Sequence, residues 1–271
     1  MLLENVSWNL SSKGNLFRSR DCLIVSIPKS GRTWLRLFLH KYYATVFNSN
    51  ETLNSKDLFR DGRPAYYFTH DLYEHQTISN LWQRLTGRFI IPLDQRQQKI
   101  LLLARDPRDV MVSLYFQNTR REKTSRRYQG SISDMIVDPL RGVDRVIHVM
   151  NMWMAEWGNQ KNRFLLTRYE DWQANTRQGF SEILRYLEGS EPDFAALEKA
   201  IDESSFDRMQ ARERETTEGP RAFKPGDSTD PESYKARRGK VGGYRDYLNI
   251  NDIKQIETAM TKLDPRFGYQ S

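Results

Sequence analysis

The sequence predicts an α/β fold of three layers, with a central, mostly parallel β-sheet and helices on both faces. Three observations lead there. Short apolar, β-branched runs recur along the chain; segments with apolar residues at helical spacing alternate with them; and start and stop signals punctuate those segments. The first run, "CLIVSI" (Cys22–Ile27), reads as a buried strand, and "TWLRLFLHKYYATVF" as a helix packed on the sheet. "PAYYFTH" (Pro64–His70) is a second strand ending in a polar pair, and Ile100–Ala104 a third. The helix after it has Asp106 where an N-cap belongs and Pro107 at the first helical position. "VIHVMNMWMAEWGNQ" is a helix rich in Met and Trp, and "RFLLTRYEDW" a fourth strand with a polar end. "TRQGFSEILRYLEG" stops as a helix at Gly189, and "DFAALEKAIDESSFDRMQ" reads as one more helix.

Two segments break this alternation, Asn118–Asp144 and Ala211–Tyr244, both charged and carrying Gly and Pro. Loops of that length are commonly lids or binding loops. The second ends in the basic cluster "ARRGKVGG", two arginines beside a glycine where backbone can approach an anion closely, and reads as a lid. Arg120, Arg121, Lys123, Arg126 and Arg127 form a basic run whose ordinary reading is a solvated face.

The net charge of +7 favours an anionic partner, although on charge alone an aid to solubility is the simpler reading. A lone cysteine, Cys22, allows no internal disulfide and reads as a buried filler. No apolar stretch approaches the roughly 20 residues of a membrane span. The stretch "MLLENVSWNLSSKG" lacks the basic flank and long apolar core of a secretory leader, so the expected location is the cytoplasm.

In parallel sheets ligands sit at the carboxyl ends of the strands. His70, Arg105 and the Ser26–Thr33 loop fall at such ends, with Tyr169 near the end of the fourth, so one cleft is expected to collect them. The loop "SIPKSGRT" departs from the Walker pattern. Gly31 and Thr33 fit, but Ser26 stands for the first glycine and Arg32 for the lysine, which has moved to Lys29. A strand–loop–helix with glycine at the helix start presents N–H groups and a helix dipole to a phosphate. A magnesium-dependent nucleotidase wants an acid at the end of a neighbouring strand; here stands Arg105, suited to a phosphate held without a metal. The four histidines, His40, His70, His75 and His148, show no ligand spacing with the cysteine, and no metal is implied.

At these residues the chain resembles the cytosolic sulfotransferase family. "PKSGRTW" is similar to that family's PKSGTTW loop, and "ARDPRDVMVSLYF" to RNPKDVxVSYYxF. "YFTH" resembles KTH, "RYEDW" YEDL, "SSFDRM" TSFxxM, and "RRGKVGGY" RKGxxGDW. The motifs keep their order from about Asp21 to Tyr244. The resemblance implies a single sulfotransferase domain over residues 1–271, with 118–144 an acceptor loop and 211–244 a lid over the donor. It implies 3′-phosphoadenosine 5′-phosphosulfate (PAPS) as co-substrate, adenosine 3′,5′-bisphosphate (PAP) as product, and a small-molecule hydroxyl or amine acceptor, with no nucleic-acid partner. Carried over, His70 is the general base, and Lys29 and Ser113 join it as catalytic residues. Lys29 and the backbone of Ser30, Gly31, Arg32 and Thr33 hold the phosphosulfate. Trp34, Tyr169, Phe206 and Met209 surround the adenine. Arg105 and Ser113 hold the 3′-phosphate, with Arg237, Arg238 and Gly239.

The chain also departs from the family. Phe68 stands where a lysine precedes the histidine by two, Gly243 and Tyr244 replace the acid and tryptophan of GDW, and Arg32 replaces a threonine. The dimer motif KxxxTVxxxE is missing from "RDYLNINDIKQIETAM", which predicts a monomer or a dimer made another way. Two other functions stay open at this point: a P-loop kinase or nucleotidase using Lys29, and a non-catalytic anion-binding protein, which Phe68 favours.

Overall fold

A computed structural model describes residues 21–48, 66–70, 99–122, 124–160, 162–215, 227 and 229–269. The N-terminal stretch, Pro64, Ala65, His75, Lys123 and residues 216–226 and 228 of the long charged segment lie outside these. The sheet has four strands, β1 (Cys22–Ser26), β2 (Tyr66–Thr69), β3 (Lys99–Ala104) and β4 (Phe164–Arg168), in the order β2-β1-β3-β4. Every pairing is parallel. Side chains alternate along each strand, and in β1 and β3 both sets are buried. Leu23, Val25, Ile100 and Leu102 enter one core; Cys22, Ile24, Leu101 and Leu103 enter the other. Two covered faces explain why these strands read as unbroken apolar runs. Burial pushes the Cys22 thiol up to about 12, so it packs as a neutral filler.

The first core is closed by α2 (Pro107–Phe116), α3 (Ile132–Ile136), α4 (Val143–Trp157) and α9 (Ile250–Met260). The second is closed by α1 (Arg32–Val46), α6 (Thr176–Glu188) and α7 (Phe194–Glu203). Asp106 caps α2, its carboxylate accepting the Arg108 N–H at 2.8 Å, and Gly189 ends α6 in the left-handed region. The helices following β1 and β3 thus pack on opposite faces. The chain turns away in two directions between these adjacent strands, which opens a crevice at their carboxyl ends.

Three expectations need correction. The strand expected over "RFLLTRYEDW" ends at Arg168, and α5 (Tyr169–Ala174) follows. Arg168 grips Asp171 with two hydrogen bonds, and Trp172 Nε1 donates to Thr167 Oγ1 at 2.7 Å, which folds the polar end back under the sheet. The helix expected over "DFAALEKAIDESSFDRMQ" is two, α7 and α8 (Phe206–Glu215). Ser204 Oγ bonds back to the Ala200 carbonyl at 2.7 Å and ends the first; Ser205 C=O takes the Met209 N–H and opens the second. The segment 118–144 is no structureless excursion. A π-turn over Gln117–Arg121 prolongs α2, and α3, capped at both Ser131 and Asp134, lies within it.

Trp172 is fully buried and makes edge contacts with Trp34 and Phe180 at 5.9 and 5.2 Å. Trp172→Phe removes this bulk and the hydrogen bond to Thr167, so unfolding free energy is expected to fall by about 2–4 kcal/mol. Denaturant unfolding reads this directly, and an unchanged midpoint would contradict the seating of the indole.

Candidate functional site

A cleft of about 1000 Å³ lies at the carboxyl ends of β1, β2 and β3, at the upper end of the ~300–1,000 Å³ typical of ligand pockets. Its lining includes Lys29, Gly31, Arg32, Thr33, Trp34, His70, Arg105, Ser113, Tyr169, Phe206, Met209, Arg237, Arg238 and Gly239. One cleft therefore collects residues drawn from 29 to 239. Ser30 alone of the expected set is outside: it is fully buried, and its N–H is spent on the Ile27 carbonyl at 3.2 Å. The N–H groups of Gly31, Arg32 and Thr33 stand at the open start of α1, before the first helical bond from Leu35 N to Gly31 O.

The loop is wound tightly. Lys29 has φ 68° and Gly31 φ 91°, both in the left-handed region. A Cβ on residue 31 would lie 2.8 Å from the Tyr169 ring, so glycine is required there for conformation and for space. Lys29 pays the strain of positive φ as a non-glycine. Its Nζ donates to Gln117 Oε1 at 3.1 Å. Burial, then the charges of Arg121, Lys235, Arg105 and Arg237, lower the Lys29 ammonium to about 7.

Arg105 is placed by the end of β3. Its guanidinium stacks on Tyr169 at 4.4 Å, Nη1 donates to the Lys29 carbonyl at 3.2 Å and Nη2 to the Lys240 carbonyl at 3.1 Å. Its buried Nε has no hydrogen-bond partner among the described residues, as is true of Trp34 Nε1. Orphaned donors in a cation-lined cleft suit an anionic ligand with further acceptors. Trp34 makes edge contacts with Tyr169, Trp172 and Phe180, so it belongs to the core on one side and the cleft on the other.

His70 Nδ1 lies 2.7 Å from the Ser26 carbonyl oxygen and 3.0 Å from Ser26 Oγ. A carbonyl only accepts, so Nδ1 carries the hydrogen and Nε2 keeps its lone pair. Burial, with Arg32, Lys29 and Arg36 nearby, lowers the imidazolium to about 3, so the ring is a neutral base at physiological pH.

The C-terminal wall is held by two buried carboxylates that sequence reasoning missed. Asp109 Oδ2 accepts the Gly242 N–H at 2.8 Å and Oδ1 the Tyr244 N–H at 2.9 Å. Glu213 accepts the Lys235 and Ala236 N–H groups and pairs with Arg121 at 3.0 Å. Between these anchors Arg237 lies between Phe116 and Tyr247, its Nη1 2.6 Å from Glu232; Arg238 pairs with Asp246 at 2.9 Å. Gly239 has φ 60°, with the Phe206 ring 2.7 Å from where a Cβ would stand. The basic run divides: Arg121 turns in to Glu213, while Arg120, Arg126 and Arg127 are exposed. Arg36 and Lys235 also line the cleft and were missed. Asp109 stood in plain view in "RDPRDV"; Arg36 left a fainter trace, a like-charged partner four residues after Arg32.

A family profile described as "Sulfotransferase domain" matches residues 19–264. Cytosolic sulfotransferase 16 of Arabidopsis thaliana is 24% identical over 259 residues, 89% of this chain and 75% of its own. Sulfotransferase 1E1 of Bos taurus is 24% identical over 204 residues, 71% of this chain and 67% of its own. Among solved structures, mouse sulfotransferase SULT7A1 complexed with PAP superposes with a TM-score of 0.63 at 18% identity, covering 94% of this chain and 88% of that one. Retinol dehydratase in a complex with retinol and PAP gives 0.57 at 17% identity, covering 89% and 80%. At these identities the structural likeness bears on the fold.

Asp109→Asn leaves an NH₂ facing one of the two N–H groups now bound, a loss of about 1–3 kcal/mol. Hydrogen exchange at Gly242 and Tyr244 is expected to accelerate while exchange in β1 and β3 holds. Unchanged protection at both amides would rule out the clamp.

Proposed function

The chain belongs to the sulfotransferase-domain family, and from that premise we propose that it transfers a sulfuryl group from PAPS to a hydroxyl or amine of a small-molecule acceptor. The observation that carries the reading is the meeting, in one cleft, of the Lys29 loop, Arg105 and Ser113, and the open Nε2 of His70. A nucleotide with two separate anionic ends fits such a cleft. The N–H groups of Gly31–Thr33 and the Lys29 ammonium suit the 5′ end. Arg105, Ser113 and the Arg237–Gly239 stretch suit the 3′-phosphate, and Trp34, Tyr169, Phe206 and Met209 the base. Residues 211–244 then serve as the lid, 118–144 as the acceptor wall, and residues 1–271 as one domain. No described helix is long and apolar enough to cross a membrane, and the relatives named cytosolic support a cytoplasmic location.

The reaction is an in-line exchange of one S–O bond for another. His70 Nε2 takes the acceptor's proton as the new O–S bond forms. The old S–O bond breaks with its electron pair going to the 5′-phosphate oxygen, where Lys29 answers the developing charge. The Ser26 carbonyl holds the imidazole in the required tautomer. Arg105 arrests metal-dependent nucleotidase chemistry as a rival reading by standing where that chemistry wants an acid, and a neutral base with a free lone pair favours catalysis over binding alone.

His70→Ala is expected to cut kcat by about 10²–10⁴-fold while PAP affinity, measured by calorimetry, changes little. Loss of both together would make His70 structural. The free enzyme also predicts an unusual pH profile for kcat/KM. The working form needs His70 neutral and Lys29 charged. Because His70 is held near 3 and Lys29 near 7, the rate should stay level from pH 6.5 down to 5 and fall as pH rises above about 7. An acid limb near 6.5 would contradict this.

A further inference from the structure

The contacts above leave two cleft cations unassigned. Arg36 follows Arg32 by one turn of α1, and its guanidinium lies 4.8 Å from the Phe68 ring centroid, in the cleft that holds His70. Lys235 stands exposed on the rim of the same cleft, just before the Arg237–Gly239 stretch. Neither side chain has a carboxylate or carbonyl partner among the described residues. Glu213, whose charge bears on Lys235, is also engaged by Arg121 and by the Lys235 and Ala236 N–H groups.

Both cations lie near the base and near each other. The charges of Arg32, Lys29 and Arg36 all bear on His70, and those of Arg121, Arg32 and Arg36 on Lys235, there countered in part by Glu213. Gathering like charges this way is unfavourable, and the Arg32–Arg36 spacing alone works against the helix. Glu213 offsets part of it at Lys235, and a bound anion would offset more. The two anionic ends of the nucleotide are already met by Lys29 with the loop N–H groups and by Arg105 with Arg237–Gly239. The Phe68 ring covers one face of the Arg36 guanidinium and leaves its edge, where the N–H donors lie, for a planar or tetrahedral oxyanion.

We propose that the acceptor is itself an anion, a hydroxylated small molecule bearing a carboxylate or phosphate group, held by Arg36 and Lys235 with its hydroxyl turned to His70. This rests on the sulfotransferase reading and narrows its substrate class. Arg36 and Lys235 are then specificity-determining residues on the acceptor side.

The test uses the full chain saturated with PAP, titrated with inorganic phosphate by calorimetry. In parallel, transfer from PAPS is measured to 4-hydroxyphenylpropionate, its phosphate-bearing analogue and its neutral amide. One phosphate should bind the PAP-loaded protein, and Arg36→Gln with Lys235→Gln should weaken it at least about tenfold, the loss of charge-assisted hydrogen bonds. The two anionic phenols should be preferred over the amide by a similar factor in kcat/KM, a ratio that collapses in the double variant while PAP affinity stays within about threefold. Lys235→Gln alone, at an exposed site, should show part of the effect if the double variant is unstable. The proposal is overturned if phosphate does not bind the PAP-loaded protein, if its binding survives both substitutions, or if acid and amide react equally. A tenfold loss of PAP affinity in the variant also overturns it, by returning the pair to the donor. Failure of PAP itself to bind would instead sink the sulfotransferase reading, and this inference with it.

Discussion

One guanidinium ties the cleft together. Arg105 leaves the end of β3 and reaches three elements that are far apart in sequence: the Lys29 carbonyl, the Lys240 carbonyl and the Tyr169 ring. Each of those contacts is modest by itself, but together they set the distance between the loop after β1 and the C-terminal wall. The sheet supplies the precondition. Because β1 and β3 are neighbours whose following helices pack on opposite faces, the loops at their ends part company and leave a gap. Arg105 spans that gap at its base. A lysine there could carry the charge, but it lacks the fork that serves two carbonyls while lying flat on an aromatic ring.

The second governing fact is the density of positive charge above that base. Lys29, Arg32, Arg36, Arg121 and Lys235 crowd one another, and Glu213 among them is engaged by backbone N–H groups and by Arg121. Burial first, and then these neighbouring charges, bring Lys29 down to about 7. The compensation comes from whatever binds. Arg105 Nε and Trp34 Nε1 are buried there with no hydrogen-bond partner among the described residues.

Much of this was legible in the chain itself. Buried parallel strands announce themselves as apolar runs, and Asp106–Pro107 and Gly189 mark helix ends by backbone chemistry that needs no partner. The loop was legible because Gly31 and Lys29 are fixed by local conformation. What escaped depends on tertiary placement. Asp109 reads as an ordinary helical acid, and Glu213 as one charge among many in the lid segment, until the segments they clamp are seen against them. Tyr169–Trp172 read as strand because its aromatic, charged pattern fits either state; the bond from Trp172 back to Thr167 and the packing of the indole on Trp34 and Phe180 favour the helix. Ser204 and Ser205 broke a helix that propensity alone would have carried through.

The two carboxylate clamps have one more implication. Glu213 pins the chain at Ala236, Arg105 holds the Lys240 carbonyl and Asp109 pins it again at Gly242, so little of the strap 237–241 between them is left to adjust. Fixing a free residue costs about 1–2 kcal/mol of conformational entropy, and here most of that loss is met during folding. On the proposed reading a nucleotide would meet a preorganised clasp and would have to exchange partners, drawing Arg237 from Glu232 and Arg238 from Asp246. Capture at this wall is then a trade of ion pairs, sensitive to ionic strength, more than an ordering of loose chain.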